Sequence, residues 1–204
     1  MRAVKNLLGL FLLTQALQAF GYGTGMSTYP TGLSNHTISA EMLGVVNNGK
    51  GLGIQGRYMF KASSAMSVEV GAGLSGGERS NRFFAGADYM FLPDYEKQPR
   101  FSVKGLIENA EENGKRINIL SMVPTVSKGF NFWGTEAYPF VAVPISLGLE
   151  GDSKTYESMI QLSLGGSGKI PVEGYDKFIA HIEGNINIKD AYHSVAMGIS
   201  YPID

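Results

Sequence analysis

An alternation of apolar and polar side chains with a period of two residues runs through most of this chain. In residues 52–60, for example, Ile54 and Tyr58 alternate with Gln55 and Arg57. Successive side chains of a β-strand point to opposite faces, so the pattern predicts strands with one apolar and one polar face. Ten segments follow it: residues 35–46, 52–60, 66–75, 82–91, 100–108, 116–127, 138–149, 156–164, 177–188 and 194–201.

The connectors between these segments are short and carry turn-forming residues. One alternate set is polar and rich in Gly, Asn and Asp: Asn47–Lys50, Gly76–Asn81, Ala110–Lys115, Glu150–Lys154 and Lys189–Ala191. The other set covers residues 61–65, 93–99, 128–137 and 165–175. Connectors of this length suit consecutive antiparallel strands. The sequence therefore predicts an all-β fold, a single antiparallel up-and-down β-barrel of ten strands, with eight as the alternative count.

The first residues have the composition of an export signal. Arg2 and Lys5 precede the apolar run 7–13, and Ala19 and Gly21 place small residues at a cleavage point. This order of basic, apolar and small residues is typical of a secretory signal, and the apolar run is too short for a membrane-spanning helix. We predict cleavage after Gly21, with a cut after Ala19 as the alternative, which leaves residues 22–204 as the barrel domain outside the cytoplasm.

Composition excludes several other classes of protein. Glycine supplies 27 of the 204 residues, about twice its usual share of ~7%, but without the triplet period of collagen. The 44% hydrophobic content is too high for a disordered chain, and the absence of cysteine excludes disulfides and thiolate metal sites. A net charge of −1 leaves no electrostatic footprint for nucleic acid.

Alternation alone does not say which face points into the barrel. A soluble barrel packs the apolar face inward, whereas a membrane barrel turns it to lipid and keeps a polar interior. Here the polar faces are rich in Gly, Ala and Ser and carry near-balanced charges, as a crowded interior of paired charges requires. We predict a polar network in the lumen formed by Glu41, Arg57, Glu69, Arg82, Asp88, Arg100, Lys104, Glu157, Lys177, His181 and Glu183.

Aromatic residues collect at the strand ends beside one set of connectors. They are Tyr58, Phe60, Tyr89, Phe91, Tyr95, Phe101, Trp133, Tyr138, Tyr175, Phe178 and Tyr201. An aromatic girdle of this kind marks the membrane interface of outer-membrane barrels. With the export signal and the even strand count, it predicts a barrel in the bacterial outer membrane, with both termini in the periplasm. The alternative is an exported soluble β-barrel of the periplasm that binds a small apolar ligand.

Two regions also resemble a known family. The segments 53–60 and 66–74, GIQGRYMF and MSVEVGAGL, resemble periplasmic hairpins of small bacterial outer-membrane β-barrel proteins of the OmpA, OmpX and opacity type. The segment 195–201, VAMGISY, is similar to the aromatic-terminated last strand that the barrel-insertion machinery recognises. The resemblance implies outer-membrane lipid and that machinery as partners. A barrel this narrow, with charged and bulky groups inside, predicts a structural or interaction role or a narrow pore for small solutes.

Signals for chemistry are weak. His181 and Glu183 share a polar face, which keeps a barrel hydrolase as a lesser alternative, but the predicted role of His181 is a hydrogen-bonded interior side chain. His36 and His193 fall near strand ends, at the interface. Residues 165–169 lack the spacing of a phosphate-binding loop, and the acids of 108–112 are predicted to form a solvated hairpin tip. The sequence thus predicts no catalytic residue, no cofactor and no metal, and leaves the oligomeric state open.

Overall fold

The computed structural model describes residues 35–46, 51–75, 79–112, 115–132, 135–150 and 156–203. These residues form β-strands and their connections, with no helix among them. The strands are β1 His36–Val45, β2 Gly51–Lys61, β3 Met66–Ser75, β4 Arg79–Leu92, β5 Arg100–Glu112, β6 Lys115–Ser127, β7 Phe130–Phe132, β8 Thr135–Ala142, β9 Ile145–Glu150, β10 Tyr156–Lys169, β11 Ile179–Lys189 and β12 Ser194–Ile203. The predicted export signal, residues 1–21, lies outside this described part of the chain.

The strands form one closed antiparallel barrel. The strands β1 to β6 pair in chain order up to the β5–β6 pair. β10 pairs with β11, β11 with β12, and β12 with β1, which closes the sheet. β8 and β9 both lie between β6 and β10, so they form one barrel strand, and β7 extends the line of β6. The twelve segments therefore make the ten barrel strands that the alternation predicts, which confirms the predicted fold class and strand count.

The register of the strands sets the tilt of the barrel wall. Each residue of a strand has one partner on each neighbouring strand, so partners can be followed from strand to strand around the barrel. From Gly198 this path leads to Tyr138 in one direction and to Glu150 in the other. Both positions lie on the β8–β9 strand, so the stagger around the barrel is the 12 residues that separate them. With standard strand spacings, this stagger over ten strands gives a tilt of about 40°. That tilt is within the usual range for closed barrels.

The interruption between β8 and β9 falls at Val143 and Pro144. Proline has no N–H to donate to a sheet ladder, which explains a break at this point. The neighbouring groups remain hydrogen-bonded, because Val143 N donates to Pro124 O at 3.0 Å and Gln161 N donates to Pro144 O at 3.0 Å. The barrel wall therefore continues past the interruption.

Some strands are longer than the alternation indicates. Residues 79–81, 110–112 and 115 belong to β4, β5 and β6 instead of to turns, because Arg79 and Lys115 both pair with Glu112. Residues 165–169, predicted as a turn, form the last part of β10, where Gly165 pairs with both Phe140 and Glu183. In both places the backbone pairing between strands continues beyond the residues that alternate. The sequence prediction used only the alternation, so it ended these strands too early.

The two ends of the barrel differ. At the end that holds the start of β1 and the end of β12, called here the terminal end, the loop 93–99 is fastened by Lys128, which contacts Asp94 and donates to Gln98 O at 3.3 Å. Asp94 also accepts a hydrogen bond from Gly129 N at 2.6 Å. The strand β12 continues past Tyr201 to Ile203 at the same end. The described residues include no helix long and apolar enough to cross a membrane.

Candidate functional site

The barrel wall has an apolar outer face and an inner face rich in polar groups, the reverse of the arrangement in a water-soluble protein. Side chains on the outer face are large and apolar, and Ile54, Leu74 and Ile107 are 62%, 65% and 64% exposed. Side chains on the inner face include many charged groups, and Glu41 and Lys104 are only 2% and 1% exposed. The candidate functional regions are therefore this buried polar interior, the exposed apolar face and the two ends of the barrel.

Most of the residues predicted for the lumen are buried together. Those buried on the inner face are Glu41, Arg57, Glu69, Arg82, Asp88, Lys104, His181 and Glu183, and Arg100 is partly buried. Glu157 and Lys177 differ from the prediction, since both are exposed. Glu157 is the second residue of β10, at the rim, and Lys177 precedes β11 in a connecting loop. Alternation predicts which face of the sheet a side chain points to, but not its position along the barrel axis. This explains why the prediction is wrong for these two residues.

Arg57 on β2 links two acids on neighbouring strands. Its Nε lies 3.0 Å from Glu41 Oε1 on β1, and its Nη1 donates to Glu69 Oε2 on β3 at 3.0 Å. Gln55 also donates to Glu41 through its side-chain amide. A buried charge is tolerated when partners of opposite charge and hydrogen bonds surround it. This cluster therefore holds the first three strands together from the inside.

Lys104 extends the cluster across the barrel interior. Its Nζ donates to Glu69 Oε1 and Oε2 at 3.2 and 3.1 Å. Lys104 lies on β5 and Glu69 on β3, so this contact passes over the intervening strand β4. Such a contact is possible only on the concave side of a curved sheet. It independently places both charges in the lumen.

A second pair of charges surrounds an inward-pointing aromatic ring. Arg82 Nη2 lies 3.3 Å from Glu108 Oε2, and both side chains are almost fully buried. The guanidinium carbons of Arg57 and Arg82 lie 5.3 and 4.8 Å from the centre of the Phe84 ring. These distances are those of cation–π contacts. Phe84 therefore joins the two ion-pair clusters and fills the space between them.

The third pair lies toward the terminal end. Arg100 Nη2 donates to Asp88 Oδ2 at 2.7 Å, and the Asp88 side chain is 3% exposed. With this pair, the acids and bases of β1–β5 form a nearly continuous series of contacts along one wall. Their close pairing explains how the barrel interior accommodates so many charges away from water.

Glycines on the inner wall make room for the large side chains beside them. A Cβ on Gly71 would lie 2.6 Å from Gly56 O and would overlap the Phe84 ring, its cross-strand partner. A Cβ on Gly198 would lie 2.6 Å from His181 Nε2, again its cross-strand partner. Gly165 has the same relationship to Phe140. Large side chains on one strand therefore fill the space that glycine leaves on the next.

The wall formed by β6–β12 carries smaller polar groups and is also closed to water. Ser121 Oγ and Ser146 Oγ are 2.7 Å apart, and Ser200 Oγ donates to Ser39 Oγ at 3.0 Å. Ser163 and Ser200 have no exposed surface, although a serine side chain is short. Side chains from elsewhere in the lumen must cover them. Within the described residues the interior is therefore packed.

His181 is enclosed in this packed interior. It is 5% exposed, and its Nε2 lies 3.9 Å from Glu41 Oε1. The other two histidines are near strand ends, as the sequence indicates. His36 Nδ1 is 2.5 Å from the Tyr58 hydroxyl, and Asn187 N donates to His193 Nδ1 at 3.1 Å.

Aromatic side chains form three clusters at the terminal end of the barrel. They consist of His36 with Tyr58 and Phe60, Tyr89 with Phe91 and Phe101, and Phe178 with Tyr175 and Tyr201. Ring centres within each cluster are 4.9–5.9 Å apart. Trp133, predicted to belong to the same girdle, lies outside the described residues.

The outer face changes character toward the other end, on β4–β6. Asn81 donates to Glu111 Oε2 at 2.9 Å, and Asn109 donates to Asn118 Oδ1 at 2.8 Å. Arg116 donates to Asn109 Oδ1 at 2.9 Å. These polar residues follow the apolar Phe83, Ile107 and Leu120 along the same face. The apolar surface thus lies between aromatic clusters at one end and a polar network on β4–β6 at the other.

Glu108 and Phe84 are among the interior residues that sequence reasoning did not identify. Glu108 was predicted at a solvated hairpin tip but is 1% exposed and paired with Arg82. The error arose because β5 continues to Glu112, which moves the tip away from Glu108. Phe84 was not assigned to the lumen because it is aromatic. Its position two residues after Arg82 placed it on the inner face.

No group of three or more His, Asp or Glu side chains in the described residues is arranged to hold a metal ion. No protein-family model matches the chain, and no curated protein matches its sequence.

Proposed function

We propose that this chain is an integral β-barrel protein of the bacterial outer membrane, with a structural or interaction role. The observation that carries the proposal is the exposed apolar outer face of a closed barrel that holds a cluster of paired charges in its interior. A soluble protein rarely exposes a continuous apolar surface, whereas an outer-membrane barrel requires one to face lipid.

The dimensions of the wall support the same function. A ten-residue strand such as β1 (His36–Val45), tilted by about 40°, rises about 25 Å along the barrel axis. The apolar band of an outer-membrane barrel is also about 25 Å tall. The aromatic clusters at the terminal end then lie at one membrane interface, where Tyr rings are enriched.

The orientation follows from the even strand count and the predicted export signal. The terminal end lies in the periplasm, and the connectors at the other end, including residues 190–193, face the outside of the cell. The proposed partners are outer-membrane lipid and, during assembly, the barrel-insertion machinery.

The packed interior favours a structural or interaction role over a pore. Charges of both signs pair across the lumen, and short side chains such as Ser163 and Ser200 have no exposed surface. A conducting pathway would leave part of this wall in contact with water. The packing of Phe84 and Phe140 against glycines also opposes an open channel.

The alternative of a soluble periplasmic barrel for a small apolar ligand has less support. Such a barrel would need an apolar cavity inside and a polar surface outside. The charged cluster around Arg57 occupies the space that an apolar ligand would need.

Fractionation of cells that express the full chain, followed by gel electrophoresis with and without heating, tests the proposed function. We expect the protein in the outer-membrane fraction and a folded band whose migration changes on boiling. Recovery in the soluble periplasm would contradict the proposal.

A further inference from the structure

The connection between β11 and β12, residues 190–193, folds inward at the end of the barrel opposite the terminal end. Tyr192 packs against Val45, the last residue of β1. On the other side, the side-chain amide of Gln161 on β10 donates to Tyr192 O at 2.9 Å. β11 and β12 lie between β10 and β1 in the barrel wall, so these two contacts carry the connection across the inner side of four neighbouring strands.

The inner-face residues beside this connection are buried although they lie near the rim. Val45 and Ser194, which pair with each other at the ends of β1 and β12, are only 7% and 2% exposed. Gln161 on β10 is 4% exposed, whereas Glu157, nearer the rim on the same face of that strand, is exposed. Residues 190–193 thus lie over this part of the lumen and are called here the cap.

Hydrogen bonds to β11 and to the residue after β1 fasten the ends of the cap. Asn187 N donates to His193 Nδ1 at 3.1 Å, and Asn187 Oδ1 accepts from Ala191 N at 3.2 Å. Val46 N donates to His193 O at 2.8 Å. The centre of the cap, Tyr192, rests on β1 and β10 instead. Loss of the Tyr192 ring would therefore loosen the centre of the cap and keep both of its ends attached.

Two features raise the free energy of the closed cap. Ser194 Oγ is buried and has no hydrogen-bond partner among the described residues. A buried hydroxyl without a partner loses its bonds to water and gains none in return. Asp190 has a φ of 47°, in the left-handed region that is uncommon for a residue with a Cβ. Movement of the cap away from the lumen would let water reach Ser194 and let the backbone at Asp190 relax.

We propose that the cap opens and closes in the folded barrel and that Tyr192 holds it closed. Opening exposes Ser194 and its surroundings to water. The charge cluster around Arg57 lies deeper in the lumen and stays in place, so the open cap admits small molecules to the mouth without making a continuous pore. The geometry of the cap is independent of the membrane location, and only the side of the membrane that it faces rests on the proposed function.

Cysteine labelling tests the proposal, because the chain contains no cysteine of its own. Three single variants, Ser194→Cys, Ser200→Cys and Lys97→Cys, are treated in the folded, detergent-solubilised barrel with a small cationic methanethiosulfonate. Ser194 lies beside the cap, Ser200 lies deeper on the same face of β12 and has no exposed surface, and Lys97 is exposed in the loop 93–99. Ser194→Cys should react more slowly than Lys97→Cys and measurably faster than Ser200→Cys.

A second substitution then loosens the cap. Tyr192→Ala should speed the labelling of Ser194→Cys about tenfold, because the half-buried ring no longer packs on β1, and should leave Ser200→Cys unchanged. Gln161→Met, which keeps the length of the side chain and removes the donor, should also speed the labelling of Ser194→Cys. Tyr95→Ala is the matched control, since Tyr95 is 67% exposed in the loop 93–99 at the other end, and should change neither rate.

Three results would overturn the proposal. Labelling of Ser194→Cys that is unaffected by Tyr192→Ala would show that Tyr192 does not hold the cap, and a rate equal to that of Lys97→Cys would show that nothing covers the mouth. Faster labelling of both Ser194→Cys and Ser200→Cys in the Tyr192→Ala background would show that the whole barrel loosens. None of these results depends on where the cell places the barrel, so failure of the cap would leave the proposed function intact.

Discussion

The ring of Phe84 lies over Gly71, its partner across the β3–β4 pair, and contacts the guanidinium groups of both Arg57 and Arg82. This arrangement links the two main features of the interior. Glycine provides the space, and the large side chains that enter it bring their charges into contact. The high glycine content of the chain is therefore partly a requirement of the packed lumen.

Gly71→Ala should destabilise the barrel by about 1–3 kcal/mol, the usual cost of overpacking a filled interior. The added methyl group would overlap the Phe84 ring and approach Gly56 O, and backbone on the neighbouring strand has little freedom to move. Urea unfolding of the detergent-solubilised protein, followed by loss of the folded gel band, measures the change. Gly105→Ala is the control, because open space surrounds that position. Equal unfolding midpoints for the two variants would contradict the packing of this wall.

Arg57→Met should destabilise the barrel by about 3–5 kcal/mol, since it leaves buried acids without a partner. Glu41 and Glu69 both lose a contact with this guanidinium. Arg116→Met is the control, because the Arg116 side chain is 51% exposed and its 3.8 Å contact with Glu111 is a surface pair, worth about 0–1 kcal/mol. A free energy of unfolding that falls equally in both variants would show that the interior cluster contributes no more than a surface ion pair.

The purified barrel should give no stepwise conductance in planar lipid bilayers. The reason is the coverage of short wall residues such as Ser163 by the other side chains of the lumen. A general porin reconstituted in the same bilayer is the positive control. Steps that change in size in an Arg82→Gln variant would show that the lumen conducts, and the narrow-pore function would replace the structural one.

The sequence predicted the strands well because the burial of one face imposes a period of two residues on each of them. The same signal failed where burial does not control the pattern. Residues 79–81 and 110–112 extend the strands through backbone pairing. Residues 165–169 have the composition of a turn, but residues 165–168 pair with a strand on each side. Local composition carries no information about which distant strand supplies the partner.

For the candidate site, the sequence predicted which charges share a face but not which of them meet. The contact of Lys104 with Glu69 crosses a strand and depends on the curvature of the barrel. The positions of Glu157 and Lys177 along the barrel axis depend on where each strand begins in relation to its neighbours. Register and stagger are properties of the closed sheet, so a single strand does not reveal them.

Tryptophan quenching by lipids brominated in their acyl chains tests the central claim, that the exposed apolar face meets hydrocarbon. Single tryptophans at Ile54, Ile107 and Leu147, in a Trp133→Phe background, report on three positions around the outer face, and Lys97→Trp in the loop 93–99 is the control. The barrel should be reconstituted in bilayers for the measurement. We predict strong quenching at all three outer positions and little at position 97. Unquenched fluorescence at the three outer positions would contradict a membrane-spanning barrel.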